Sequence, residues 1–212
     1  MKFDRVEFER KALLAEDACR KGYVFYSEEN RVDDFDRGCR HTVQLLNDSY
    51  LLYRNCSYAT SAFLAICAIE EIAKVEVAMF RKVPRSEMSR NRKNDPLFSH
   101  RKKHSIAIQE VIVIGKRLVD AIGENRLRDL MNLEKNGKLV ELRESALYAD
   151  NVEDAFVCPS ERIDKALSRE LLLLAIEVWD DRLIGWTNHT YELEKQVSRM
   201  FEDVANSDNQ QP

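Results

Sequence analysis

Glycine and proline are scarce in this 212-residue chain, 6 and 4 in all. A β-sandwich or barrel needs a turn signal every dozen residues or so, and too few are present, so the fold should be built of helices. Long apolar runs are lacking as well. The longest, Ala62 to Ile69, falls far short of the roughly 20 residues a bilayer-crossing helix needs, so no membrane is expected as a partner. No CxxC pair exists among the five cysteines, Cys19, Cys39, Cys56, Cys67 and Cys158. That excludes a zinc ribbon or thioredoxin-type motif and fits reduced, mostly buried thiols of a cytoplasmic protein. Met1-Lys2-Phe3-Asp4-Arg5 leads into charged sequence without an apolar h-region, so no secretory signal is expected. Net positive charge is missing too: a formal charge of −4 excludes a generally basic nucleic-acid coat, while leaving room for a local basic surface.

What is present is helical periodicity. Phe8, Ala12, Leu13, Ala15 and Cys19 recur at three- and four-residue steps before a stop at Gly22, and a connector, Tyr23 to Asp36, precedes a second helix expected from about Asp36 to Arg54. Tyr58 to Phe80 differs in kind, because Ala62 to Ile69 is apolar at every helical phase, the mark of a central helix. Between Arg81 and His104 stand nine Lys/Arg against two acids, a local +7 that leaves −11 on the rest of the chain. A fourth helix is expected from about Leu97–His100 through Ile106, Ile108, Val111 and Ile114 towards Ile122. Asn125 to Ala149 should form a short or broken pair jointed at Gly137, followed by a loop to Pro159. Ser160 is expected to cap a final helix running through Trp179 to Met200, bent at Gly185.

Two constellations carry chemistry. Glu70, Glu71 and Lys74 form an EExxK set in which the ammonium can reach either carboxylate. Acids one step beyond a buried helical run need a partner, and a buried ion pair is often kept for reasons besides stability. His100 and His104 stand at i, i+4 with Arg101, Lys102 and Lys103 between. A zinc metalloprotease would place Glu where Arg101 stands, and three cations oppose a divalent ion, so no metal or other cofactor is expected. A di-iron bundle needs Glu-x-x-His twice, and no histidine here has Glu at that spacing. An imidazole among cations suits an RNA sugar-phosphate backbone, moving a proton while the cations meet phosphate charge.

Three stretches in order resemble the AbiV-type abortive-infection proteins of the HEPN superfamily. They are Ala62 to Lys74, ending Glu-Glu-x-x-Lys; Phe98-Ser99-His100-Arg101-Lys102-Lys103, similar to an aromatic-x-His-x-x-Lys element; and Arg143 to Asp150 with Pro159, similar to a Leu-Tyr-x-Asp loop. The resemblance covers roughly His41 to Asp164. It implies an all-α, antiparallel HEPN-like bundle at 36–205, with 1–35 as a helical extension packed on it and 206–212 as a disordered tail. It also implies bacterial phage defence, a homodimer, and RNA cleavage without a metal. The aromatic-rich final helix points the same way on dimerisation, through apolar surface that one bundle does not bury.

On this reading His100 is the acid/base, with Glu70, Glu71 and Lys74 also at the catalytic site. Arg101, Lys103, His104 and Arg92 hold RNA phosphate, and Tyr148 and Asp150 line the same cleft. Many HEPN ribonucleases carry Arg four to six residues before His. Here Arg92 and His100 are separated by seven, and that departure supports a second expectation, a non-catalytic switch that binds a phage or host protein. A third expectation is a nucleotide sensor holding phosphates on the basic loop.

Overall fold

The computed structural model describes residues 4–22, 25–82, 94–109 and 116–207, among which the chain forms ten α-helices and one small hairpin. This is the all-α bundle that the shortage of turn residues implies. Helix α1 spans Arg5–Arg20, α2 Arg31–Arg54 and α3 Tyr58–Phe80. Helix α2 starts earlier than Asp36, because Asp33 and Asp34 place negative charge in its first turn, where the helix dipole favours it. The turn Asn55–Ser57, with Cys56 at φ 60°, is so short that α2 and α3 must pack as an antiparallel pair.

After a 3-10 turn at Pro96–Phe98 come α4 (His100–Ala107), α5 (Lys116–Ile122), α6 (Glu124–Lys135) and α7 (Lys138–Ser145). The fourth helix is therefore shorter than its apolar spacing suggests. It ends where Ile108 adopts extended backbone, ψ 93°, and Val111 and Ile114 lie outside the described residues. Strands β1 (Asp150–Val152) and β2 (Ala155–Val157) pair antiparallel in a stretch expected to be loop. Glu153 and Asp154 carry the turn at φ 49° and 67°, a left-handed pair that sequence normally announces with Asn-Gly. Then follow α8 (Pro159–Arg162), α9 (Lys165–Leu183) and α10 (Asn188–Ala205). Asp164, not Ser160, caps α9 by accepting the Leu167 N–H at 2.8 Å. The bend expected at Gly185 is a full break: its φ of +84° suits glycine alone, and a Thr187–Thr190 capping box restarts the chain as α10.

Helix α3 sits at the centre, packed against α2, α9, α4, α7 and α1, with Ala62, Ala65, Ile66, Ala68, Ile69, Ile72 and Ala73 fully buried. Its alanines let neighbouring backbones come close. A second helix is equally central: Leu171 to Ile176 of α9 are all buried. Trp179, one of the aromatics of the expected final helix, lies in the core and donates its indole N–H to Thr42 Oγ1 at 3.0 Å. Trp186 is the exposed one, edge-on to Phe35 and Phe80.

Buried ion pairs fasten the periphery. Lys11 of α1 reaches Glu134 Oε2 at 2.6 Å and donates to the Ile108 carbonyl at 2.7 Å, while Ser105 donates to the other Glu134 oxygen at 2.6 Å. Arg81, also buried, makes a two-pronged contact with Asp95 at 2.9 and 2.6 Å and donates Nε–H to the Ala18 carbonyl at 3.0 Å. A methyl on Gly22 would fall 1.8 Å from this guanidinium. Gly22→Ala is accordingly expected to destabilise by about 1–3 kcal/mol in denaturant titration, by prising Arg81 from Asp95.

No helix among the described residues is long and apolar enough to cross a membrane. All five cysteines are free, but only Cys39 is buried, where burial pushes its thiol up to about 12; Cys56 is exposed. In the expected tail, Asn206 closes α10 and Ser207 Oγ lies 3.0 Å from Tyr53 Oη, while 208–212 lie outside the described residues.

Candidate functional site

Helix α4 begins where Ser99 accepts the Lys102 N–H. From there, residues 100, 103 and 104 fall at i, i+3 and i+4 and share one face. That face lies against Glu70, the buried position that directly follows the apolar run in α3. His100 Nδ1 is 2.7 Å and Lys103 Nζ 2.5 Å from Glu70 Oε2; His104 Nε2 is 3.2 Å from Oε1. From α7, Arg143 brings Nε to 3.4 Å of Oε1 while its guanidinium covers the Phe63 ring at 5.1 Å. One carboxylate thus gathers four basic side chains from two helices.

Burial sorts these groups. Glu70, Lys103 and His104 are almost wholly enclosed, whereas the His100 side chain is 43% exposed. Burial alone would raise the Glu70 pKa. Hydrogen bonds from His104 and Lys103, the Lys103 charge and the His100 hydrogen bond outweigh it and hold the carboxyl well below the ordinary range. An ionised carboxylate only accepts, so each facing imidazole nitrogen carries the proton. His104 then donates through Nε2, leaving its buried Nδ1 without a hydrogen-bond partner. His100 donates through Nδ1 and turns Nε2 away from the carboxylate. A carboxylate that fixes the tautomer of an accessible imidazole is the arrangement of a general acid/base.

The structure therefore brings Glu70, His100, Lys103 and His104 together and separates the other expected residues. Glu71 and Lys74 pair with each other on the partly exposed side of α3, and Lys103 takes the place beside Glu70 that the i+4 spacing offers to Lys74. Lys103 and His104 are too enclosed to hold a phosphate in solvent. Arg101 is exposed and lies across Gly137, donating towards the Lys135 carbonyl at 3.5 Å. Arg92 lies outside the described residues. Tyr148 and Asp150 do not join the Glu70 cluster; they line a separate groove of about 820 Å³ together with α7 and Arg162. They are carried there because α7 ends at Ser145 and the chain turns away into β1. Arg143 was missed as a site residue although it stands in the quoted Arg143–Asp150 stretch, since nothing local says that α7 packs on α3.

The family model that matches is AbiV, of the HEPN group, over residues 38–180. Neither the curated proteins nor the solved structures contain a match to the chain. The matched span holds Glu70, His100, Lys103, His104 and Arg143, and with them the whole site, while α1 lies outside it. With two thirds of its length under that model and an all-α bundle around the site, the chain belongs to the AbiV family of HEPN proteins.

Proposed function

We propose that this chain acts in abortive infection, as a toxin that cleaves RNA without a metal and uses His100 to move the proton. The observation that supports this reading is the Glu70–His100 pair: an ionised, enclosed carboxylate 2.7 Å from one nitrogen of an accessible ring. In the step proposed, His100 Nε2 takes the proton of an RNA 2′-hydroxyl. That oxygen attacks the neighbouring phosphorus, and the bond to the 5′-oxygen breaks. The products are a 2′,3′-cyclic phosphate and a 5′-hydroxyl, whose proton comes from water while His100 returns its own to solvent. Arg101, exposed and next to His100 in the chain, is the expected phosphate holder among the described residues that reaches solvent. Purified protein incubated with total RNA tests the reading. His100→Ala is expected to slow cleavage at least about 100-fold, with cyclic-phosphate ends from the wild type only. Equal cleavage by both proteins would reject the assignment.

The enclosure of Lys103 and His104 favours a second reading, because it removes two of the cations expected to hold RNA. In that reading the protein is a non-catalytic switch gripping a phage or host protein. Its mark is one stoichiometric partner recovered from infected cells with no RNA shortened. A homodimer, implied by the family likeness, is proposed for either reading and is tested by light scattering of the purified protein.

A further inference from the structure

The proton transfer proposed for His100 makes no use of Arg143, the one group of the cluster that runs from the buried carboxylate out to solvent. Its buried Nε stands 3.4 Å from Glu70 Oε1. Its guanidinium lies over the Phe63 ring at 5.1 Å and meets the Cys67 thiol. At the other end Nη1 donates to Glu144 Oε1 at 2.6 Å, and this hydrogen bond is exposed. The Glu144 side chain is 50% exposed against 4% for Glu70, so Arg143 is anchored at Nε and faces the surface at Nη1.

The outer contact is not one that helix geometry sets up. Adjacent positions of a helix do not face each other, so Glu144 meets Arg143 only by folding back along α7. An exposed pair of this kind adds little stability and restricts two long side chains, so a better acceptor displaces it. The inner contacts are enclosed and stay. His100 takes Oε2 of Glu70 and Arg143 stands at Oε1, so an accessible imidazole and a surface-facing Nη1 flank one carboxylate. Lys103 answers the charge of Glu70 and Glu144 that of Arg143; drawing Glu144 off Nη1 therefore turns one positive charge outwards. A phosphate oxygen fits that donor, since arginine makes strong charge-assisted hydrogen bonds to phosphate. An acidic protein segment offers only another carboxylate, which Glu144 already supplies.

We infer that Arg143 binds an RNA phosphate at the His100 site through Nη1, and that Glu144 competes with the strand for this donor and so restrains binding. The inference rests on the RNA reading above and adds to it a phosphate-binding residue and a regulator of the same site. Glu70 thereby serves twice, fixing the imidazole with one oxygen and steadying the phosphate donor with the other. Glu144 sets how readily the strand enters, because each RNA must first displace it.

The test is fluorescence anisotropy with a short single-stranded RNA on the His100→Ala protein, which keeps the RNA intact. Adding Glu144→Gln is expected to tighten binding about two- to fivefold, with an unchanged melting temperature because Glu144 is exposed. Glu141→Gln, which removes the same charge one turn earlier on α7, should leave affinity nearly unchanged. Arg143→Ala should weaken binding about tenfold or more. It should also lower the slope of log affinity against log salt by about 0.7, the mark of one lost phosphate contact, which a merely structural arginine would not move. In the Arg143→Ala background the gain from Glu144→Gln should vanish. No tightening by Glu144→Gln, or equal tightening by Glu141→Gln, overturns the inference, and so does an unchanged salt slope in a folded Arg143→Ala protein. Wild-type cleavage with any of those results leaves the ribonuclease reading standing. The expected pattern of binding without cleavage by the wild type removes the ribonuclease and keeps the phosphate contact. Absence of RNA binding overturns both.

Discussion

Replacing Glu70 with alanine is expected to cost about 3–5 kcal/mol of stability in denaturant titration at neutral pH. The change strands the Lys103 ammonium, 4% exposed, without a counter-charge, and removes the acceptor for His100 and His104. A pH series sharpens the expectation. Burial pushes the Glu70 pKa up, but hydrogen bonds from His104 and Lys103 and the Lys103 charge pull it down further, well below its ordinary 4.5. A carboxyl lowered on folding stabilises fully above its unfolded value and loses that contribution as pH falls through the folded one. The gap between wild type and Glu70→Ala should thus be constant just above about pH 5 and shrink steadily below it. Glu177, Asp180 and Asp181 of α9 run the other way, because burial raises their pKa values and acid relieves the cost. They are common to both proteins and cancel in the difference. A gap that holds its size to about pH 3 would contradict the assignment of Glu70 as the ionised centre.

Lys11→Met is expected to have an effect of similar size, about 3–5 kcal/mol, for a related reason. Lys11 and Glu134 are each 1% exposed in the side chain, and without the ammonium the carboxylate keeps, among the described residues, only the Ser105 hydroxyl at hydrogen-bond distance. The remedy is diagnostic. Lys11→Met combined with Glu134→Leu should recover most of the loss, since an apolar pair of similar volume carries no desolvation cost. Because Lys11 joins α1 to α4 and α6, limited proteolysis should cut near α1 first in the single variant and not in the double. A double variant no more stable than the single would show that the cost lies in packing and not in charge.

The central helix and half of its site were legible in the residues. Ala62 to Ile69 announces burial at every phase, so a carboxylate at Glu70 had to be enclosed and to find partners. Positions 100, 103 and 104 share a face by helical geometry alone. Which ammonium answers Glu70 was not legible, because Lys74 is local and Lys103 is supplied by packing of α4 on α3, and only the tertiary contact decides. Arg143 depends likewise on where α7 lands. The hairpin at Asp150–Val157 hid because Glu153 and Asp154 take left-handed backbone without a glycine to signal it. Tyr148 and Asp150 consequently looked like lining of the His100 cleft, when the turn after α7 sends them to another groove. In α9, Leu171 to Ile176 is apolar without interruption, the same signal that marks α3 as central.

The central claim is that Glu70 acts through His100 to move a proton in RNA cleavage. A double-mutant cycle on the cleavage rate tests it most directly, with melting curves to show that each protein is folded. Glu70→Gln alone should slow cleavage about tenfold or more, by loosening the ring from its tautomer and orientation. In the His100→Ala background the same change should cost nothing further. An equal loss from Glu70→Gln in both backgrounds, or a wild-type rate for Glu70→Gln alone, would contradict the account.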